Sequence, residues 1–260
     1  MPLNIVLTHG YLGYGSEDVR YVLTPYFKGV ARRLRELGHD VFEPGVTGNG
    51  SVEARSRELA DQLRVRFPGN TTMHVIGHSM GGLDARRVLV RDADLRRRIS
   101  SLVCIGTPHL GSPVASELLH PSALFGTGIP GALIAAARVD RGALPDLALR
   151  ETPLDDDVDG VRYVDIACDG RSDKAGSPLF WLTRKLGGID KSVINDGVVL
   201  RDSACIHPSR HEHWPMWPVD HGGAIGWASD WPTISVFIGR LPPGHLERYE
   251  NIVARLASGS

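Results

Sequence analysis

Short runs of apolar residues alternate along the first hundred positions with longer stretches in which apolar residues recur at helical spacing. The runs "NIVLTHG", "DVFEP", "TMHVIGH" and "ISSLVCIGTP" are too short for helices and read as strands. Between them, "PYFKGVARRLRELG", "SVEARSRELADQLRVRF" and "MGGLDARRVLVRD" read as helices, with Gly38 ending the first and Ser51 capping the second. Strand and helix in strict alternation predict an α/β fold with a mostly parallel sheet flanked by helices.

After "GTPHLGSP" the rhythm changes. Residues 113–150 are rich in Ala, Leu, Gly and Pro and contain no convincing strand, which predicts a helical cap inserted into the alternating pattern. The pattern resumes with "GVRYVDIACDG" as a strand, followed by an irregular stretch to about residue 243 and a closing helix, "HLERYENIVARLA". With 260 residues, no repeat and no low-complexity segment, one domain over 1–260 is expected.

Charge narrows the partners. Lys and Arg number 29 against 30 Asp and Glu, a net charge of -1, and no block of like charge suggests nucleic acid or an acidic membrane surface. A neutral or apolar small-molecule ligand fits better. The most apolar region, "GIPGALIAAARV", is broken by Pro130 and Arg138 and is too short to span a membrane. The opening "MPLNIVLTHG" lacks a signal peptide's basic leader and apolar core, which predicts a cytoplasmic protein or the mature form of a secreted one. Three cysteines make no scaffold or CxxC site; Cys104 reads as a core residue, and Cys168 with Cys205 is the one pair considered for a bridge.

Candidate chemistry centres on "GHSMGG". An apolar strand runs into this GxSxG pattern and a helix runs out, the strand-turn-helix that presents a nucleophilic serine, here Ser79. Gly77 and Gly81 would make room where a sharp elbow brings neighbouring chain close. A serine nucleophile needs a base and an oxyanion site. The Met80 amide at the helix start is one oxyanion donor; the loop "LTHGYLGYG" offers the Tyr11 amide after Gly10 as the second. That loop also admits a nicotinamide-dependent dehydrogenase, but its glycines follow G-x-x-G-x-G rather than G-x-G-x-x-G and precede the next helix by several residues.

Among eleven histidines, the base should follow the serine on a loop near the C-terminus. His221 in "VDHGGAIGW" stands on such a loop between glycines, whereas His245 belongs to the first turn of the last helix. His207, His211 and His213 in "HPSRHEHW" match no standard metal spacing and read as solvated loop residues. For the acid, Asp169 and Asp196 both precede His221, and position alone does not separate them.

Taken in order, "VLTHGYLG", "GHSMGGLDAR", "IGTPHLGSP", "DGVRYVDIACDG", "NDGVV" and "DHGGAIGW" resemble the true bacterial lipases, triacylglycerol lipases of the α/β-hydrolase superfamily. The resemblance implies Asp196 of NDG as the acid, Tyr11 as an oxyanion residue and residues 113–150 as a lid. It also implies a structural calcium held by an acid two residues after the catalytic histidine; Gly223 stands there, and no cofactor is expected.

The sequence therefore reads as a serine carboxylic-ester hydrolase with the triad Ser79, Asp196 and His221. A lipase is the first expectation, and a short-chain carboxylesterase or polyester hydrolase on the same triad is the alternative. Leu12, His78, Leu124, Phe125 and Leu133 are expected to contact an apolar ester or lipid, with the cap facing a lipid interface.

Overall fold

In the computed structural model of the chain, residues 1–17, 25–120, 142–172, 178–227 and 244–259 are described. Strands β1 (Asn4–Thr8), β2 (Asp40–Phe42), β3 (Met73–His78), β4 (Ile99–Ile105), β5 (Arg162–Ile166) and β6 (His211–His213) form one sheet. Their order is β2-β1-β3-β4-β5-β6, and every pairing is parallel. The chain steps one way from β1 to β2 and the other way from β3 onwards, so the loops after β1 and β3 diverge and leave a crevice at their carboxyl ends.

Both faces of this sheet are covered, which is why its strands read as continuous apolar runs. Helices α1 (Val30–Glu36), α2 (Val52–Arg66), α3 (Met80–Arg91) and α4 (Ala93–Arg98) lie among the first four strands in sequence. Ile5 and Leu7 of β1 point into one core with Val30 and Leu34 of α1 and with Tyr249, Ile252 and Leu256 of the closing helix, residues His245–Ser258. Val6, between them, faces the opposite core with Leu59 and Leu63 of α2 and Val88 and Leu89 of α3. Side chains alternate across a strand, so a one-residue slip would exchange these two sets.

Local signals account for most boundaries. Ser51 accepts from the Ala54 amide and opens α2. Helix α1 starts later than its spacing predicts because Gly29, at φ 73°, adopts a left-handed conformation and resets the chain. Asp92 closes α3 and opens α4 by accepting from the amides of Asp94 and Leu95, a break that apolar periodicity does not reveal.

Beyond β4 come α5 (Pro113–Leu119), α6 (Leu144–Leu147), α7 (Pro178–Leu186), α8 (Arg201–Ala204) and the closing helix α9 (His245–Ser258). Helix α7 and strand β6 fall inside the stretch that the sequence reads as irregular. Strand β6 is the sequence His-Glu-His at the sheet edge, with His211 alone of its residues buried, so no apolar run marks it. The three cysteines are free thiols, and Cys168 and Cys205 are not bridged. Among the described residues no helix is long and apolar enough to cross a membrane.

Candidate active site

Ser79 sits at the carboxyl end of β3 with φ 55° and ψ -129°, a backbone region that non-glycine residues rarely occupy. Its amide donates to the Ile105 carbonyl of β4 at 2.9 Å, which anchors the turn. A Cβ on Gly77 would stand 2.6 Å from the Gly82 nitrogen, and one on Gly81 would strike the Thr8 and His9 carbonyl oxygens. Both glycines are therefore required by close approach of the chain, as the elbow reading expects.

His221 follows the buried Asp220 and joins Asp196 twice. Its Nδ1 lies 2.7 Å from Asp196 Oδ2, and its amide donates to the Asp196 carbonyl at 2.9 Å. The other oxygen of Asp196, Oδ1, accepts from the amides of Val198 and Val199 at 2.9 and 2.7 Å. The tight "NDGVV" turn thus holds one carboxylate oxygen and aims the second at the imidazole. Burial works against charging His221, but the charge and hydrogen bond of Asp196 outweigh it and raise its pKa above the ordinary value. Asp169, the other candidate acid, accepts instead from the Arg171 guanidinium on both oxygens.

Residues after β1 complete the crevice. The loop is held from behind by Arg55 of α2, fully buried, which donates to the carbonyls of His9 at 2.7 Å and Thr47 at 3.0 Å. The same guanidinium pairs with Asp84 of α3 at 2.7 Å, so one side chain ties the loop to the helix that starts at Met80. Leu12 adopts φ 57°, donates its amide to the Gly48 carbonyl and is 61% exposed at the rim. Among the described residues no helix opens on this glycine loop, and the next one begins at Val30.

Ser79 and His221 line one cavity of about 420 Å³, together with Tyr11, Leu12, His78 and Asp196. Its apolar wall comes from Val114, Ala115 and Leu118 of α5, Leu144 and Leu147 of α6, and Phe180 of α7. Of the expected substrate contacts, Leu12 and His78 are therefore on the cavity, while Leu124, Phe125 and Leu133 lie outside the described residues. Met80 is fully buried at the first position of α3, and Tyr11 packs against the apolar cluster that contains it. Val198 of "NDGVV" and Tyr26 also line the cavity, and no motif in the sequence marks Phe180 or Tyr26.

His211 corrects the expectation of solvated histidines. Its ring is buried between two carboxylates: Nδ1 donates to Asp165 Oδ2 at 2.8 Å and Nε2 to Asp157 Oδ1 at 3.0 Å. His109 donates to the remaining Asp165 oxygen at 3.2 Å. His207 remains exposed, and His213 donates to the Ile206 carbonyl. Cys104, His109 and Asp165 bring possible metal-ligand atoms within 4.8 Å of one another. Asp165 already accepts there from His109, His211 and the Ile206 amide, and Arg86 lies close by on Asp157 at 2.9 Å, so the group suits a hydrogen-bond network better than a cation.

A calcium ion beside the histidine loop fits these residues no better. Gly223 has no side-chain oxygen and donates its amide to Asp220.

Comparison with known proteins adds the context. Residues 53–122 match the family model described as a PGAP1-like alpha/beta domain. The triacylglycerol lipase of Pseudomonas fragi is 33% identical over 135 residues, covering 51% of this chain and 43% of the relative. Triacylglycerol lipase 2 of Saccharomyces cerevisiae is 35% identical over 100 residues, covering 36% of this chain and 31% of the relative. The chain thus spans less than half the length of the curated relatives it matches. The mature form of the Bacillus licheniformis lipase BlEst2 superposes with a TM-score of 0.64 at 20% identity, covering 86% of each chain. The metagenomic carboxyl esterase MGS0156 gives the same TM-score of 0.64 at 22% identity, over 99% of this chain and 76% of that one. With its parallel sheet and its strained serine between strand and helix, the chain has the fold of these lipase and esterase structures, an α/β-hydrolase fold, and the curated relatives that match part of it are triacylglycerol lipases.

Proposed function

We propose that the chain is a serine ester hydrolase that cleaves apolar esters through an acyl-enzyme on Ser79. The observation that carries this reading is the Asp196-paired His221 opening onto the same apolar cavity as the strained Ser79. With Nδ1 engaged by Asp196, His221 has Nε2 left to take the serine proton. Ser79 Oγ then attacks the ester carbonyl, and the amides of Met80 and Tyr11 receive the charge that develops on its oxygen. The imidazolium passes its proton to the departing alcohol, and the neutral ring activates water to release the acid.

Helices α5 and α6 wall the cavity with Val114, Leu118, Leu144 and Leu147, which suits an acyl chain and supports a lipase. The names of the curated relatives point the same way. Hydrolysis of p-nitrophenyl esters from acetate to palmitate, beside emulsified triolein, tests this with wild type and Ser79→Ala. Serine-dependent turnover of long chains and triolein is the expected result. Activity confined to short esters makes the chain a carboxylesterase, and full activity in Ser79→Ala overturns the serine mechanism.

A further inference from the structure

Two buried side chains outside the triad connect its parts. The Gly10 amide donates to Tyr26 Oη at 3.0 Å, Tyr26 Oη lies 2.8 Å from His78 Nδ1, and His78 Nε2 lies 3.1 Å from the His221 carbonyl. Both ends dictate proton placement. An amide can only donate and a carbonyl can only accept, so His78 carries its proton on Nε2 and leaves Nδ1 bare for the Tyr26 hydroxyl. One arrangement of protons satisfies every member of this row, and it runs from the loop after β1 to the loop that carries His221.

We propose that Tyr26 and His78 are positioning residues which hold the Tyr11 oxyanion loop and the His221 loop in register across Ser79. The inference rests on the serine-hydrolase reading above. Gly10, one residue before Tyr11, packs so closely that a Cβ there would stand 2.8 Å from Ser79 Cβ and 2.9 Å from Tyr26 Oη. Tyr26 is therefore the backstop of the loop as well as the acceptor for its amide. On the far side, the His78 and His221 rings lie 4.6 Å apart, tilted by 45°. A shift of either loop would stretch the row, and displacement of reacting groups by an ångström costs large factors in rate.

Neutrality of His78 is what keeps the row intact when His221 becomes cationic. Burial and then the neighbouring His221 charge hold the His78 pKa well below the ordinary histidine value. A proton on Nδ1 would turn an acceptor into a second donor towards Tyr26, so the row tolerates only the neutral ring.

The experiment compares wild type, Tyr26→Phe, His78→Asn and the double variant in kcat and KM for p-nitrophenyl butyrate, with Ser79→Ala as control and thermal melting as a check on folding. Each single variant is expected to lower kcat about 10- to 100-fold with KM within about twofold, because alignment and not binding is lost. The double variant should lose no more than the worse single one, since both cut the same row. Either single variant within about twofold of the wild-type kcat, or losses that multiply in the double variant, overturns the proposal. Nitrogen chemical shifts of His78 in the wild-type protein test it without any variant. A neutral Nε2–H tautomer throughout about pH 5 to 8 is expected, and an imidazolium or an Nδ1–H tautomer in that range overturns the row. Serine-dependent wild-type activity beside an unaffected Tyr26→Phe would defeat this inference alone, whereas undiminished activity in Ser79→Ala would defeat the underlying reading and this inference with it.

Discussion

His221 Nδ1 stands 2.7 Å from Asp196 Oδ2 while the His221 amide donates to the Asp196 carbonyl, so the two residues are fastened through both side chain and backbone. Asp169 has no such relation to the ring and is held by Arg171. Replacing Asp196 by Asn should therefore lower kcat by about 10⁴-fold, because the wrong tautomer is favoured and the imidazolium loses its counter-charge. Asp169→Asn should leave kcat within about tenfold of wild type. Equal losses in the two variants would remove Asp196 from the triad.

The same pairing sets the pH dependence. As the proposed base His221 must be neutral, and Asp196 outweighs burial to raise its pKa above the ordinary 6.5. Activity should accordingly fall as pH drops through a value above 6.5 and reach its plateau on the alkaline side. Titration of kcat/KM against pH measures this limb. An acid limb below the ordinary histidine value would contradict the geometry.

Stability should respond to a different histidine. Burial alone would discharge His211, but the hydrogen bonds and charges of Asp157 and Asp165 outweigh it and raise its pKa. Burial would likewise raise Asp165, yet His109 and His211 hold it well below the carboxylate range, and Asp157 is depressed by His211 and Arg86. A raised histidine stabilises fully below its unfolded pKa of about 6.5 and ceases to as pH climbs through the folded value. The depressed carboxylates stabilise above their unfolded pKa of about 3.8 and cease to as pH falls through their folded values. The network therefore contributes most between about pH 4 and 6.5. His211→Asn should destabilise the fold by about 1–3 kcal/mol there, since it removes the charge between two buried carboxylates and leaves them only His109, the Ile206 amide and Arg86. Urea melts of both proteins at several pH values provide the check; a penalty that grows from neutral to alkaline pH would reverse the assigned charge states.

Leu118 lines the cavity from α5. Leu118→Trp should fill part of that volume and reduce kcat/KM for palmitate relative to butyrate by about tenfold or more, with acetate unaffected. An unchanged chain-length profile would place the acyl group elsewhere.

The alternating pattern was legible because each strand of a doubly covered parallel sheet must be apolar on both faces, and each covering helix must show one apolar stripe. Thus Ile5, Val6 and Leu7 read as a strand before their two separate cores are known. The elbow was legible for a similar local reason: Gly77 and Gly81 have their required places two residues either side of Ser79. Strand β6 was not legible, since an edge strand of His-Glu-His carries its one buried residue among carboxylates supplied from the 155–165 region.

Sequence alone determined the sheet class and singled out the serine and the histidine loop as candidates, because these depend on periodicity and on residue types at short spacing. From the residues by themselves it left Asp169 and Asp196 level; resemblance favoured Asp196, and the tertiary structure brings that carboxylate, 25 positions before His221, within 2.7 Å of the ring. It likewise buried His211 between Asp157 and Asp165 and joined Gly10, Tyr26, His78 and His221 into one row. Contacts of this kind lie between residues far apart in the chain, and no local pattern encodes which polar groups share a dry interior. Burial then decides the outcome, because a polar group removed from water must find its partner inside the fold.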